Sequence, residues 1–165
     1  MPEHITIGSI ETAWGPMVLA TSERGIVMVE RGADAGALVP ALLRRFPKAE
    51  VRDGQPSHAS WVAAWIRGER QDLAPVDLSG LAAFDADVYR ATRAIGWGER
   101  ATYGDVAVAA GHPRAARAVG TAMSRCPFFP AVPCHRVVRA ADGWSGWGAS
   151  GDALKRELLA REDAF

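Results

Sequence analysis

Residues 103–124 read YGDVAVAAGHPRAARAVGTAMS. Tyr103 to Ala110 has the length and spacing of a short helix, Gly111 supplies a turn, and Pro113 stands in the first-turn position it favours for a second helix running to about Ser124. Two helices about a tight glycine turn predict a helix-turn-helix. Ala115, Ala116, Ala118 and Gly120 keep the surface of the second helix thin, while Arg114 and Arg117, three apart, are expected on one face. Such a surface suits close approach to a partner. It equally suits tight helix packing with the arginines turned to water.

On the N-terminal side of this pair, Phe84, Val88, Ala91 and Ile95 form a helical stripe that Gly96-Trp97-Gly98 ends. Residues 71–83, with Pro75, Asp77 and Ser79-Gly80, read as a loop and mark a boundary between a domain over 1–80 and another over 84–165. The first domain reads as a small α/β unit. Ile5–Ile10, Met17–Ala20 and Gly25–Glu30 are strand candidates, the first two bridged by Trp14-Gly15-Pro16. Asp34 caps a helix carrying Leu38, Leu42, Leu43 and Phe46 and stopped by Pro47, and a second helix runs through Trp61, Val62, Trp65 and Ile66. Its two tryptophans are expected in a core rather than on a stacking surface.

The 165 residues, 48% hydrophobic and 23% charged, are ordinary globular composition, which excludes a disordered or collagenous chain. No apolar run approaches the ~18 residues of a membrane span, and Met1-Pro2-Glu3-His4 lacks the layout of a signal peptide, so a soluble cytoplasmic protein with no membrane partner is expected. Cys126 and Cys134 are too few for a disulfide scaffold or a four-cysteine zinc site, and His4, His58, His112 and His135 lack the spacing of a mixed one; both thiols are expected reduced and no metal is expected. The net charge is zero, but six arginines (Arg100, Arg114, Arg117, Arg125, Arg136, Arg139) face a single acid, Asp105, between 100 and 139. A polyanion fits that excess. So does a solvated arginine face in a chain whose only lysines are Lys48 and Lys155.

The chemistry concentrates in Pro133-Cys134-His135-Arg136-Val137-Val138. A cysteine set by a preceding proline and followed by histidine can be a posed nucleophile, although neighbouring side chains diverge and the imidazole must reach the sulfur through a turn or a water. This string follows Arg-Ala-Val-Gly-Thr-Ala-Met (117–123) and precedes Asp142-Gly143, Gly146-Trp147 and Leu154-Lys155-Arg156-Glu157-Leu158-Leu159-Ala160-Arg161-Glu162. In this order the segments resemble the O6-alkylguanine-DNA alkyltransferases. The likeness is strong over 84–162, whereas 1–80 shares the general layout of that family's variable N-terminal domain.

The resemblance implies a small ribonuclease-H-like sheet with helices, followed by a mostly α winged helix-turn-helix domain that binds double-stranded DNA through the minor groove. It implies repair of O6-alkylguanine, and of O4-alkylthymine, by irreversible transfer of the alkyl group to Cys134 after nucleotide flipping. The implied catalytic set is Cys134 as acceptor, His135 as the base acting through a water, Glu162 orienting the imidazole, Tyr103 at the target base and phosphate, and Lys155 lining the pocket. Arg117 fills the space of the flipped nucleotide, with Arg114, Ala115, Ala118 and Arg125 completing the DNA surface, and Met123, Val137, Trp147, Gly148 and Ala149 form the substrate pocket. No cofactor is implied, and the protein is expected as a nucleoid-associated monomer whose cooperativity on DNA stays open.

The residue types suit that chemistry. A base inside the stack must be extruded at a cost of a few kcal/mol, and displacement at carbon favours a soft sulfur nucleophile. With an ordinary thiol pKa of about 8.5, full ionisation gains about 20-fold at neutral pH, and each tenfold loss of basicity costs about threefold in nucleophilicity. Modest depression of the Cys134 pKa is therefore expected, with orientation supplying most of the rate. Two positions depart from the family: Cys126 stands where an asparagine braces the acceptor turn, and Trp147 where a tyrosine lines the pocket. Cys126 is expected to be an inert packed thiol, a redox partner of Cys134 being the alternative. Two rival activities remain, a damage-binding protein that accepts no alkyl group and a cysteine hydrolase built on Cys134 and His135.

Overall fold

The computed structural model describes residues 1–32, 34–141 and 152–163. The chain divides into two compact units, Met1–Ala82 with Pro127–Ala131, and Ala83–Cys126 with Val132–Phe165.

In the first unit, β1 (His4–Thr12), β2 (Gly15–Ser22) and β3 (Gly25–Arg31) form an antiparallel meander. A fourth strand, β4 (Glu50–Asp53), joins parallel to β1, giving the order β3-β2-β1-β4. The crossover into β4 runs through a 3-10 turn, Gly36–Leu38, and α1 (Val39–Arg45); α1 is shorter than the periodicity predicts, and Asp34 instead accepts from the Ala37 amide at 3.1 Å. Alternation on β1 turns Ile5 and Ile7 into a core with Val18, Ala20, Val27, Leu42 and Phe46. Burying aliphatic and aromatic side chains of this size stabilises the unit by roughly 1.5–3 kcal/mol each. Helix α2 (Ala59–Ile66) packs against β1 and buries Val62, Trp65 and Ile66. Trp65 meets Phe129 edge to face at 5.4 Å, while half-buried Trp61 donates its indole N–H to Asp72 O at 2.6 Å.

The stretch 71–83 is a loop that is firmly held. Ile26 N donates to Pro75 O at 2.9 Å and Asp77 N to Ile26 O at 2.8 Å, and Gly25, at φ 136°, lies so close to Pro75 O that a Cβ would stand 2.4 Å from it. Buried Asp77 accepts from Ser22 at 2.6 Å. Arg45 donates to Val27 O at 2.8 Å, to Ser79 O at 2.9 Å and to Asp77 O. Pro127–Ala131 also belongs to this unit, although sequence position alone groups it with the second domain: Val29 N donates to Pro127 O at 2.8 Å, and Phe129 stacks on Trp14.

The second unit is mostly helical. Helix α3 (Ala83–Arg93) buries Val88, Tyr89 and Thr92; of the expected stripe Val88 and, just beyond the helix, Ile95 are buried, whereas Phe84 and Ala91 are half-buried. Polar Tyr89 and Thr92 can face inward because their hydroxyls donate to Ala122 O and Val88 O, each at 2.8 Å. Strand β5 (Ala101–Thr102) leads into α4 (Tyr103–Ala109), where Thr102 and Asp105 form a reciprocal capping box with both bonds at 3.0 Å. The connecting turn uses Gly111 at φ 83° and a His112 N–Ala107 O bond of 2.8 Å.

Helix α5 spans Ala116–Ser124 and is not opened by Pro113. Ala115 N closes a turn onto His112 O at 3.0 Å, and Ala115 itself has non-helical angles (φ −104°, ψ 28°), so Pro113, Arg114 and Ala115 lie in the turn. Arg114 therefore does not share an α5 face with Arg117. A short β6 (Val137–Val138) pairs parallel with β5, and α6 (Asp152–Asp163) follows. Lys155, Leu158, Leu159 and Glu162 are buried on α6 at positions i, i+3, i+4 and i+7. No helix is long and apolar enough to cross a membrane among the described residues.

Candidate active site

Pro133 delivers Cys134 into a 3-10 turn, Cys134–Arg136, that runs directly into β6. The turn is closed by Cys134 N to Val132 O at 2.8 Å and Arg136 N to Pro133 O at 3.0 Å. Its three side chains are all buried: Cys134 is 5% exposed, His135 0% and Arg136 5%. Buried polar side chains require partners, and for His135 and Arg136 α6 supplies them.

Glu162 is the hub. Its Oε1 lies 2.8 Å from His135 Nε2, and Arg136 donates from Nε at 2.9 and 3.1 Å and from Nη2 at 2.6 Å, while Arg136 Nη1 donates to Ile95 O at 2.7 Å. Burial alone pushes the Glu162 pKa up, but the bonds and charges of His135 and Arg136 outweigh it and bring the value down to about 2. An ionised carboxylate accepts hydrogen bonds and cannot donate them. Nε2 therefore carries the imidazole proton, and the basic lone pair of neutral His135 is on Nδ1. Burial lowers the His135 pKa below its ordinary 6.5; the pull of Glu162 is opposed by the cations of Arg136 and Lys155. The histidine rests neutral at physiological pH.

The thiol departs from expectation. Cys134 is pushed well above its ordinary pKa by a hydrogen-bonding interaction with the Cys126 thiol and by burial; the Lys155 cation and a backbone amide pull weakly the other way. The expected depression is thus reversed, because sequence does not show how deeply the sulfur is buried or that the Cys126 thiol interacts with it. Lys155, completely buried, donates from Nζ to Val137 O at 2.8 Å, so the Val137 carbonyl is already engaged.

Cys134, His135, Glu162, Lys155 and Val137 are thus assembled by one turn, one short strand and one helix face. Tyr103 opens α4, half-buried, with its ring 3.9 Å from where a Cβ on Gly120 would stand. Arg117 and Ala118 are exposed on α5, Arg114 is exposed in the turn before it, Ala115 is half-buried there, and Met123 is buried beneath the helix. Arg125 is exposed and grips Asp85 on α3 at 2.8 and 3.1 Å. Trp147, Gly148 and Ala149 lie outside the described residues. Among those described, no group of His, Cys, Asp and Glu side chains could hold a metal ion.

Arg136 and Tyr89 have roles that the residue pattern alone does not reveal. Arg136 counts as surface charge until its buried carboxylate partner is known. Tyr89 reads as polar beside the α3 stripe until its bond to α5 is seen. The motif containing Arg136 was the available signal; for Tyr89 there was none.

Residues 83–164 match the family model described as the 6-O-methylguanine DNA methyltransferase DNA-binding domain. The chain is 39% identical to the methylated-DNA–protein-cysteine methyltransferase of Metallosphaera sedula over 98% of its own length and 95% of that relative. The chain belongs to the methylated-DNA–protein-cysteine methyltransferase family. Other relatives vary in length and name. It is 37% identical to the bifunctional transcriptional activator/DNA repair enzyme Ada of Escherichia coli over 90% of this chain, yet spans only 42% of that longer protein. It is 34% identical to the DNA base-flipping protein of Thermus thermophilus, covering 94% of this chain and 99% of the relative. Among solved structures, the O6-methylguanine methyltransferase of Mycobacterium tuberculosis superposes with a TM-score of 0.73 at 29% identity, covering 97% of this chain and 93% of that one. In this methyltransferase-family member, the acceptor motif sits in a turn whose histidine and arginine share one buried carboxylate.

Proposed function

We propose that this protein repairs double-stranded DNA by moving an alkyl group from O6-alkylguanine, and from O4-alkylthymine, irreversibly to Cys134 after the damaged nucleotide is flipped out. The observation that carries this reading is the buried Cys134–Arg136 turn bonded to Glu162 within the same unit as the α4–α5 pair. His135 Nδ1 takes the Sγ proton through a bridging water while Glu162 holds Nε2–H. The sulfur attacks the alkyl carbon, a C–S bond forms, and the C–O6 bond breaks with its electron pair passing to the guanine oxygen. A proton then returns to the guanine. General-base assistance of this kind is worth roughly 10²–10⁴-fold. The thioether product leaves Cys134 without a thiol, so each chain reacts once and needs no cofactor.

The second unit serves as the DNA-binding and acceptor domain, a winged helix-turn-helix with β5 and β6 beside the helices. The first is the ribonuclease-H-like domain, a reading supported by its 3-2-1-4 order and parallel β1–β4 pair. The thin face of α5 enters the minor groove, with Arg117 occupying the space of the extruded base, Tyr103 crowding its phosphate, and Arg114, Ala115 and Ala118 against the backbone. Met123 and Val137 line the base pocket. The protein acts in the cytoplasm as a monomer on DNA. A cysteine hydrolase is disfavoured, since it relies on a stabilised thiolate beside His⁺, whereas here the thiol is raised and the imidazole lowered.

The test is intact mass after incubation with methylated duplex. One methyl per chain, mapped to the peptide containing Cys134 and absent from Cys134→Ser, is expected. Binding without any mass gain would leave a damage sensor.

A further inference from the structure

Cys126 has no part in the transfer just described, yet its sulfur lies at the acceptor. Its amide donates to Met123 O at 3.3 Å, where α5 ends. The chain then leaves the second unit for Pro127–Ala131 and rejoins it at Val132, so Cys126 and the segment leading to Cys134 flank one five-residue excursion. There the two thiols stand within side-chain hydrogen-bonding reach of each other. The buried Tyr89 phenol, fixed by its 2.8 Å bond to Ala122 O, interacts electrostatically with both sulfurs. Both cysteines are unbridged; Cys134 is buried, and Cys126 is partly open to solvent.

We propose that Cys126 and Cys134 are a modification site for hydroperoxides, closing to a reversible disulfide that shields the acceptor sulfur. Cys126, the more accessible thiol, reacts first: its sulfur takes one peroxide oxygen, giving Cys126–SOH and one water from hydrogen peroxide, or the alcohol from an organic hydroperoxide. The Cys134 sulfur then attacks Cys126, the S–S bond forms as the S–O bond breaks, and the departing hydroxide takes up the Cys134 proton as a second water. Two thiols are oxidised by two electrons and one peroxide is reduced. A small dithiol reverses the bridge by exchange. The bridge also keeps Cys134 off the path to sulfinic and sulfonic acids, which are not restored by thiols. Its effect on repair rests on Cys134 being the alkyl acceptor; the bridge itself does not.

Both cysteines fall in the tryptic peptide Cys126–Arg136. The full-length protein is treated with hydrogen peroxide, alkylated under denaturing conditions and digested. The expected peptide is lighter by two hydrogens, takes up no alkylating reagent, and regains two reactive thiols after dithiothreitol. Alkyl transfer, measured in parallel, is lost on oxidation and restored by dithiothreitol. In Cys126→Ser the same treatment should give no dithiothreitol-reversible loss of the Cys134 thiol. A wild-type peptide that keeps two alkylatable thiols, or carries sulfinic acid at Cys134 with Cys126 still a thiol, overturns the proposal. Bridge formation in a protein that transfers no methyl would uphold the site and refute the repair reading separately.

Discussion

Replacing Glu162 with Gln should damage stability and chemistry together. The amide retains one acceptor oxygen where the carboxylate takes three bonds from Arg136 and one from His135. Arg136 stays 5% exposed, a buried cation without its counter-ion, and breaking a buried pair from one side costs about 3–5 kcal/mol. An independent route gives a similar size. The fall of the Glu162 pKa from its ordinary 4.5 to about 2 corresponds to about 3 kcal/mol at about 1.4 kcal/mol per pH unit. For a chain of this length, that loss lowers Tm by about 6–20 °C. The Nε2–H also loses its anionic acceptor, so the tautomer with a basic Nδ1 is no longer enforced, and alkyl transfer should slow by about 10²-fold or more. The assay pairs thermal unfolding with quenched single-turnover transfer well below the lowered Tm, alongside DNA affinity. The double variant Arg136→Met, Glu162→Leu should recover much of the lost Tm without recovering rate, since it removes the uncompensated charge but not the defect in the base. A Tm within 2 °C of wild type, or an unchanged rate at equal DNA occupancy, would refute the role of the shared carboxylate.

With Arg117 in the proposed role of occupying the flipped nucleotide's space, Arg117→Ala should reduce transfer from duplex DNA far more than transfer from free O6-methylguanine; equal losses on the two substrates contradict that assignment. Iodoacetamide modification of Cys134, followed by peptide mapping against pH, should give a midpoint well above the ordinary thiol value of about 8.5, and a midpoint below it would show that burial and Cys126 do not hold the proton. Acidification should lower Tm. Folding depresses the pKa of His135 below 6.5 and that of Glu162 from 4.5 to about 2, so the unfolded chain binds more protons: stability falls below pH 6.5 and again as pH drops from 4.5 towards 2. A Tm that rises between pH 7 and pH 4 would reverse this sign. Thr102→Ala removes half of the capping box and should cost about 1 kcal/mol, read as a small fall in denaturation midpoint with an unchanged m-value.

Where side-chain pattern and backbone agree, the architecture is readable from sequence: the meander follows from alternating apolar residues, and the helix pair from glycine and alanine spacing. Strand β4 escapes because Glu50-Val51-Arg52-Asp53 offers one apolar residue; an edge strand paired on one side needs no more, and its Arg52 and Glu50 satisfy each other at 2.8 Å. Helix α6 hides its inner face, since Lys155 and Glu162 occupy core positions that hydrophobic periodicity treats as surface. The acceptor motif was legible as chemistry, but its electrostatics depend on groups far apart in sequence. The arginine excess shows the same limit from the other side. Arg100 pairs with Asp163, Arg125 with Asp85 and Arg136 with Glu162, three acids outside the counted window. Much of that local positive charge is spoken for before any nucleic acid arrives.

The short strap 127–131 bears on how the gene may be divided. Its Pro127 carbonyl receives the amide of Val29 and its Phe129 ring packs against both Trp14 and Trp65, so a cut between Ala82 and Ala83 yields an amino-terminal piece missing five residues of its own interior. Expressed without its counterpart, the carboxy-terminal piece exposes Phe128 and Phe129 in the very loop that joins α5 to the acceptor turn. Transplanting or truncating either half therefore calls for redesign of that loop as well as a clean break in the linker.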